Sequence, residues 1–289
     1  MLRYLQLDVF TARAGGGNPL GVVAGASDWS DAQMQRFAQW TDLVETTFLL
    51  PVSQTEASYR VRIFTPSREI PFAGHPSVGS AHAFMTINPQ LAAAELIQEC
   101  GAGLLPIRCR GLGAAREIFV RAPQAQILSR GVADCAPMAR VLAGLALGSL
   151  PPALVSGGRR WWLAELADER ALRGWQPDFE AIGQAAALDD ALGLCVFARS
   201  AEPGIDLVVR AFPVAVGIRE DPASGAANGL IAAYIAQAEP AGTLAAGYRV
   251  SQGRELGRDA RLTVRIDQGG SVWVGGRTVT VIDGALHWP

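Results

Sequence analysis

The chain contains no lysine; all 25 of its basic residues are arginine. Schiff-base catalysis, a Walker lysine and a pyridoxal-phosphate anchor are thereby excluded together. An excess of either charge is also missing, with 27 acidic residues and a formal net charge of −2. No cluster of arginines interleaved with aromatics occurs, so neither the field nor the stacking surface that nucleic acid needs is present. The four cysteines, Cys100, Cys109, Cys135 and Cys195, lack CxxC spacing. A chain of 289 residues folds without a disulfide framework, so they read as reduced core thiols. Long apolar runs are absent too. The start, Met1 to Asp8, has no uninterrupted hydrophobic region, and the apolar stretch 141–155 is broken by Pro151-Pro152. Neither an export signal nor a membrane span is expected, which reads as a cytoplasmic chain.

What is present is material for two domain-sized cores, at 49% hydrophobic and 18% charged residues. Residues 5–10 alternate like a strand and run into the turn Gly15-Gly16-Gly17-Asn18-Pro19. Ser30 and Gln33 have the form of a capping box, which predicts a helix over about 31–40. Strand patterns follow at 46–50, 59–64 and 118–120, with Glu45 at the first helix-to-strand corner. The second half repeats the order: a strand at 161–164, a helix at 179–187, strands at 194–198 and 207–212, and closing strands at 272–274 and 279–281. The Gly/Pro-rich stretch 148–158 reads as the crossing between halves. The halves are expected at 1–130 and 131–289, with the extreme C-terminus crossing back.

One seven-residue pattern is written twice, as His75-Pro76-Ser77-Val78-Gly79-Ser80-Ala81 and Asp221-Pro222-Ala223-Ser224-Gly225-Ala226-Ala227, offset by 146 (221 − 75). Arg62-Ile63-Phe64 recurs as Arg210-Ala211-Phe212 at an offset of 148 (210 − 62). A nearly constant offset argues for two equivalent halves, with His75 and Asp221 facing one shared cleft. Each copy is expected to open a helix, with His75 or Asp221 as the N-cap and proline at the first helical position. Capping alone is the bland reading of one such dipeptide; the duplication makes a site of the pair. The small residues that follow let a ligand approach the helix start. Exposed N–H groups there suit a carboxylate, each helix end contributing about 0.3–1 kcal/mol. No metal is expected. His75 and His82 are seven residues apart, about 10 Å along a helix at roughly 1.5 Å per residue, and His82 and His287 read as structural.

Taken together, Gly17-Asn18-Pro19, Glu45-Thr46-Thr47-Phe48, Phe64-Thr65-Pro66, Pro71-Phe72-Ala73-Gly74-His75-Pro76 and Glu220-Asp221-Pro222-Ala223-Ser224-Gly225 resemble the phenazine-biosynthesis PhzF-like family. Gln252-Gly253-Arg254-Glu255-Leu256-Gly257-Arg258 and Val274-Gly275-Gly276 extend the resemblance to the C-terminus. It implies the α+β fold of the diaminopimelate epimerase superfamily, with two pseudo-symmetric halves, each a curled, mostly antiparallel sheet around a central helix. It also implies a homodimer and a cofactor-independent isomerase acting on a small carboxylate, as in isomerisation of trans-2,3-dihydro-3-hydroxyanthranilate. By the same resemblance Glu45 moves the proton, flanked by His75 and Asp221, and the substrate is bound around Asn18, Gly74, Ser224, Gly225 and Ala226. The motif copies carry no cysteine, which disfavours the two-thiol racemisation of the epimerases. One position departs: Ala226 stands where active phenazine enzymes carry serine, and this bears on the phenazine substrate.

A proton shift between carbons needs a base that the same event reprotonates, and a carboxylate suits this when desolvation lifts its pKa. Leu43, Val44 and Phe48 are the apolar neighbours expected to exclude water from Glu45, with His75 or Asp221 stabilising developing charge. An epimerase or racemase using His75 and Asp221 as opposed groups is the second enzyme reading. A catalytically silent small-molecule-binding homologue is the third.

Overall fold

The computed structural model describes residues 2–288. In chain order its main elements are β1 (Leu2–Val9), β2 (Asn18–Ala24), α1 (Asp31–Thr41), β3 (Thr46–Leu50), β4 (Tyr59–Phe64), β5 (Glu69–Ile70), α2 (Gly74–Ile87), β6 (Glu95–Cys100), β7 (Gly103–Arg110), β8 (Glu117–Arg121) and β9 (Gln126–Arg130). There follow α3 (Ala136–Leu142), β10 (Ala153–Gly157), β11 (Arg159–Glu165), α4 (Glu169–Gly174), α5 (Phe179–Leu188), β12 (Ala191–Arg199), β13 (Leu207–Phe212), α6 (Gly225–Ala238), β14 (Gly247–Gln252), β15 (Ala260–Ile266), β16 (Val272–Gly276) and β17 (Thr278–Leu286). The chain divides into two α+β units. The first runs from the N-terminus to Arg121 and takes back the segment from Gly275 onward; the second is Ala122–Val274.

In the first unit β1 pairs antiparallel with both β2 and β17. β2 and β3 are parallel across α1, β3 and β4 antiparallel, β4 and β6 parallel across α2, and β6, β7 and β8 antiparallel. This mostly antiparallel sheet curls around α2, which touches β1, β2, β3, β4, β6, β8 and β17. The helix has no polar face to turn to solvent. Buried residues lie all round it, from His75 to Met85, as expected of a helix at the centre of a sheet. The capping box of α1 is formed: Ser30 Oγ accepts from Gln33 N–H, and Gln33 Oε1 accepts from Ser30 N–H at 2.9 Å. Met34, Phe37 and Ala38, spaced three and four apart, bury the inner face of α1 against Phe48 and Phe64. Full burial of each large side chain there contributes about 1.5–3 kcal/mol.

The second unit repeats the plan. β10 pairs antiparallel with β9 and β11, β11 and β12 are parallel across α4 and α5, and β12 and β13 are antiparallel. β13 and β14 are then parallel across α6, and β14 and β15 antiparallel. α6 holds the central place that α2 holds in the first unit and is likewise buried on all sides. A separate core forms where α3 and α5 meet the sheet, around Met138, Leu142, Ile182, Trp162 and Phe212.

Two expectations are corrected. The stretch 148–158 contains a strand, β10, of the second unit, because Ala153–Val155 are buried apolar residues that complete two ladders. Of the four free thiols only Cys135 and Cys195 are buried; Cys100 and Cys109 are partly exposed.

Candidate active site

In the first unit Asn18, Glu45 and His75 come together. Asn18 opens β2 after a turn held by the buried Asp8, whose carboxylate accepts the Gly17 N–H at 3.0 Å. Glu45 immediately precedes β3, three residues beyond the left-handed Asp42 that ends α1. His75 is the second residue of α2. Its Nδ1 lies 3.4 Å from Asn18 Nδ2, and its Nε2 lies 3.3 Å from Glu45 Oε2. The two titratable side chains are 7% and 13% exposed. Burial pushes the His75 pKa down to about 3, only partly offset by a hydrogen bond to the Pro19 carbonyl. At neutral pH the imidazole is therefore uncharged, and it lies in close contact with the carboxylate.

His75 does not cap the helix. The N-cap is Ala73, whose extended backbone carries no side-chain acceptor, and Gly74 is the first helical residue. The first turn is secured instead by Ser77, whose hydroxyl donates to the Ala73 carbonyl at 2.9 Å and accepts from Gln98 Nε2 at 3.0 Å. Phe48 is likewise not beside Glu45. Strand alternation puts Thr47 on the α2 face, accepting from Ser80 at 3.0 Å, and Phe48 on the α1 face, 6.3 Å from Phe37. His82 Nε2 meets Thr280 Oγ1 at 3.0 Å and ties α2 to β17.

In the second unit Asp221 is not an N-cap either. It forms a single bridge with Ala211, and its carboxylate accepts the Ala223 N–H at 3.1 Å in a tight turn. The N-cap of α6 is Ser224, whose hydroxyl accepts the Ala227 N–H. Gly225 and Ala226 are the first two helical residues. Ala226 is exposed while Ala223 to Gly225 and Ala227 to Ala232 are buried, so it is the open position of this helix start.

These caps reset the internal repeat. α2 and α6 are each 14 residues, so Gly74 corresponds to Gly225, an offset of 151 (225 − 74). The bonding pattern agrees. Ser77 donates to Ala73 four residues back and meets Gln98 of β6; Asn228 donates to Ser224 four residues back, at 2.8 Å, and to Gln252 of β14, at 3.0 Å. His75 therefore corresponds to Ala226, and the match of His75 with Asp221 is a coincidence of small-residue sequence. The strands keep the offset of 148: Thr46 pairs with Phe64 as Leu194 pairs with Phe212. Glu45 then corresponds to Gly193, where a Cβ collides with the Phe212 carbonyl oxygen. The Glu45–His75 contact of the first unit has no counterpart in the second.

Sequence reasoning missed Asp8, Gln98, Asn228 and Gln252 as the residues that hold these turns. Gln252 carried a signal, since it heads a motif already noted; a lone polar residue in an otherwise ordinary strand, such as Gln98, carries none.

The profile of the PhzC-PhzF family, described as phenazine biosynthesis-like protein, matches residues 7–284. Among curated relatives, antisense-enhancing sequence 1 of Schizosaccharomyces pombe is 31% identical, over 97% of this chain and 97% of its own length. Trans-2,3-dihydro-3-hydroxyanthranilate isomerase of Pseudomonas aeruginosa is 31% identical over 93% of this chain and 92% of its own. Among solved structures, a Bacillus anthracis phenazine biosynthesis protein of the PhzF family superposes with a TM-score of 0.85 at 25% identity, covering 99% of each chain.

Proposed function

Because the chain belongs to the PhzC-PhzF phenazine biosynthesis-like family and is an isomerase, we propose that it shifts a proton between two carbons of a small carboxylate, with Glu45 as the group that moves it. The observation that carries this reading is the contact of Glu45 Oε2 with the buried His75 Nε2 at 3.3 Å. The carboxylate beside this uncharged imidazole is the group offered to the substrate carbon. The carboxylate takes the proton, holds it as a carboxylic acid, and returns it to the second carbon, so no net proton is consumed. Asn18 steadies the imidazole. Asp221 orients the amine or hydroxyl of the substrate, and the backbone N–H groups at Gly74, Gly225 and Ala226, with Ser224, receive its carboxylate.

The absence of a second-unit counterpart to Glu45 and His75 supports one acid/base group over two opposed ones. An isomerase rather than a two-base racemase is the better fit. The substrate of the Pseudomonas aeruginosa relative, trans-2,3-dihydro-3-hydroxyanthranilate, is the first compound to try. The same reading, resting on the family resemblance, has the enzyme working as a cytoplasmic homodimer without a cofactor. Among the described residues no helix is long and apolar enough to cross a membrane.

The test is mass spectrometry of that substrate incubated in D2O with wild type and with Glu45→Gln, reading isomerised product and deuterium uptake. Wild type gives product, and the variant loses about 10²–10⁴-fold in rate, the usual worth of general acid/base catalysis. A variant near wild-type rate removes Glu45 from the role. An inactive wild type moves the activity to another small acid.

A further inference from the structure

The segment Gln252 to Arg258 holds no group assigned to the reaction, yet it is built against one that is. Gln252 ends β14 and is fully buried. Its Nε2 donates to the Asp221 carbonyl at 2.8 Å, and its Oε1 accepts from the Ser224 N–H at 3.2 Å and from Asn228 Nδ2 at 3.0 Å. One side chain thus grips the backbone on both sides of the turn that presents Asp221. The next residue closes the contact. Gly253 adopts a φ of 90°, and a Cβ there stands 2.5 Å from the Pro222 carbonyl oxygen, so only glycine lets the two backbones meet.

Behind this contact the segment is anchored by ion pairs. Arg254 reaches Glu202 and Asp259, each at 2.7 Å, and Glu255 receives Arg173 at 2.8 Å. The first-unit glutamine that meets the central helix, Gln98, is held more lightly: among the described residues its side chain donates to the Ser77 hydroxyl and accepts from Tyr59 Oη, each at 3.0 Å.

We propose that Gln252 is a positioning residue for the isomerisation, fixing the Asp221 carboxylate and the first amides of α6 in the one arrangement that catalysis uses. An amide is the side chain of this length that both donates and accepts, which is what the turn requires. The proposal rests on the reading of Asp221 as a substrate-orienting group. Gln252→Glu isolates the effect, since a carboxylate keeps both accepted bonds, loses the donor to Asp221 and adds a charge beside it.

The experiment is a double-mutant cycle of Gln252→Glu with Asp221→Ala, measured with trans-2,3-dihydro-3-hydroxyanthranilate, together with hydrogen–deuterium exchange of the peptide spanning 221–228. Gln252→Glu lowers kcat by about 100-fold, the scale of a misplaced group of roughly 1 Å, with KM little changed. In the Asp221→Ala background the same change costs less than about twofold. Exchange rises across 221–228 and not across 74–80. Wild-type kcat in Gln252→Glu, or an equal loss in both backgrounds, overturns the proposal in favour of a merely structural role. Should wild type fail to turn over this substrate, the functional reading fails separately. Exchange then decides: faster exchange at 221–228 supports the grip of Gln252, and unchanged exchange overturns it.

Discussion

The repeated arginines give a direct test of how burial sets the worth of an ion pair. Arg210 is 5% exposed and Glu220 6%, and they are joined by two bonds of 2.9 Å. Arg210 also donates to the carbonyls of Trp175, at 2.7 Å, and Leu172, at 3.2 Å, and lies over the Phe212 ring. Its counterpart Arg62 makes the same fork to Glu69 and lies over Phe64, but Glu69 is 41% exposed and Arg62 has a second partner in Asp31. Glu220→Gln strands a buried guanidinium and costs about 3–5 kcal/mol. Glu69→Gln removes a screened pair and costs about 0–1 kcal/mol. At about 2–4 °C per kcal/mol, that is a drop in Tm of about 6–20 °C against less than about 4 °C. Urea titration followed by circular dichroism reads both. Arg210→Met/Glu220→Leu, which removes both charges, should recover most of the loss, because the burial cost disappears with them. Equal losses at Glu220 and Glu69 refute the reasoning.

Two further outcomes are expected. Burial holds His75 at about 3 and His82 at about 4, below the ordinary 6.5. Above pH 6.5 both states are neutral and stability is unaffected. Between pH 6.5 and 5 the unfolded chain takes up the protons first, so stability falls on acidification by up to about 1.4 kcal/mol per unit for each histidine. Urea midpoints across that range measure this, and a flat profile contradicts the burial of both rings. Gly193→Ala drives a methyl into the Phe212 carbonyl oxygen; a loss of about 1–3 kcal/mol by thermal denaturation is expected for such a clash, and a neutral outcome refutes it.

Local signals carried much of the fold. Thr46–Leu50, Tyr59–Phe64 and Leu207–Phe212 are strands with the bounds their alternation predicts, and Ser30 with Gln33 starts α1 as its capping box predicts. The register of the duplication was not legible. Pro76-Ser77-Val78-Gly79-Ser80 and Pro222-Ala223-Ser224-Gly225-Ala226 are small-residue strings that match each other in several alignments. Only the hydrogen bonds of Ser77, Ser224 and Asn228 decide among them. The nearness of Glu45 to His75 was legible only through the family resemblance, because the contact joins residues 30 apart on different elements and no local pattern carries it. Of the strands not anticipated, β6 and β7 have their alternation interrupted by Gln98-Glu99 and by Pro106, whereas β14 and β15 alternate, burying Tyr248, Val250, Leu262 and Val264.

Gly193 also bears on how this scaffold is open to redesign. A side chain equivalent to Glu45 cannot be introduced by point substitution at the symmetry-related strand position, since the backbone there leaves no room for a Cβ. Ala226 is the opposite case: it occupies the helical position of His75, is exposed, and already carries a Cβ. Position 226 should therefore accept larger side chains, and a library confined to position 193 should return only glycine.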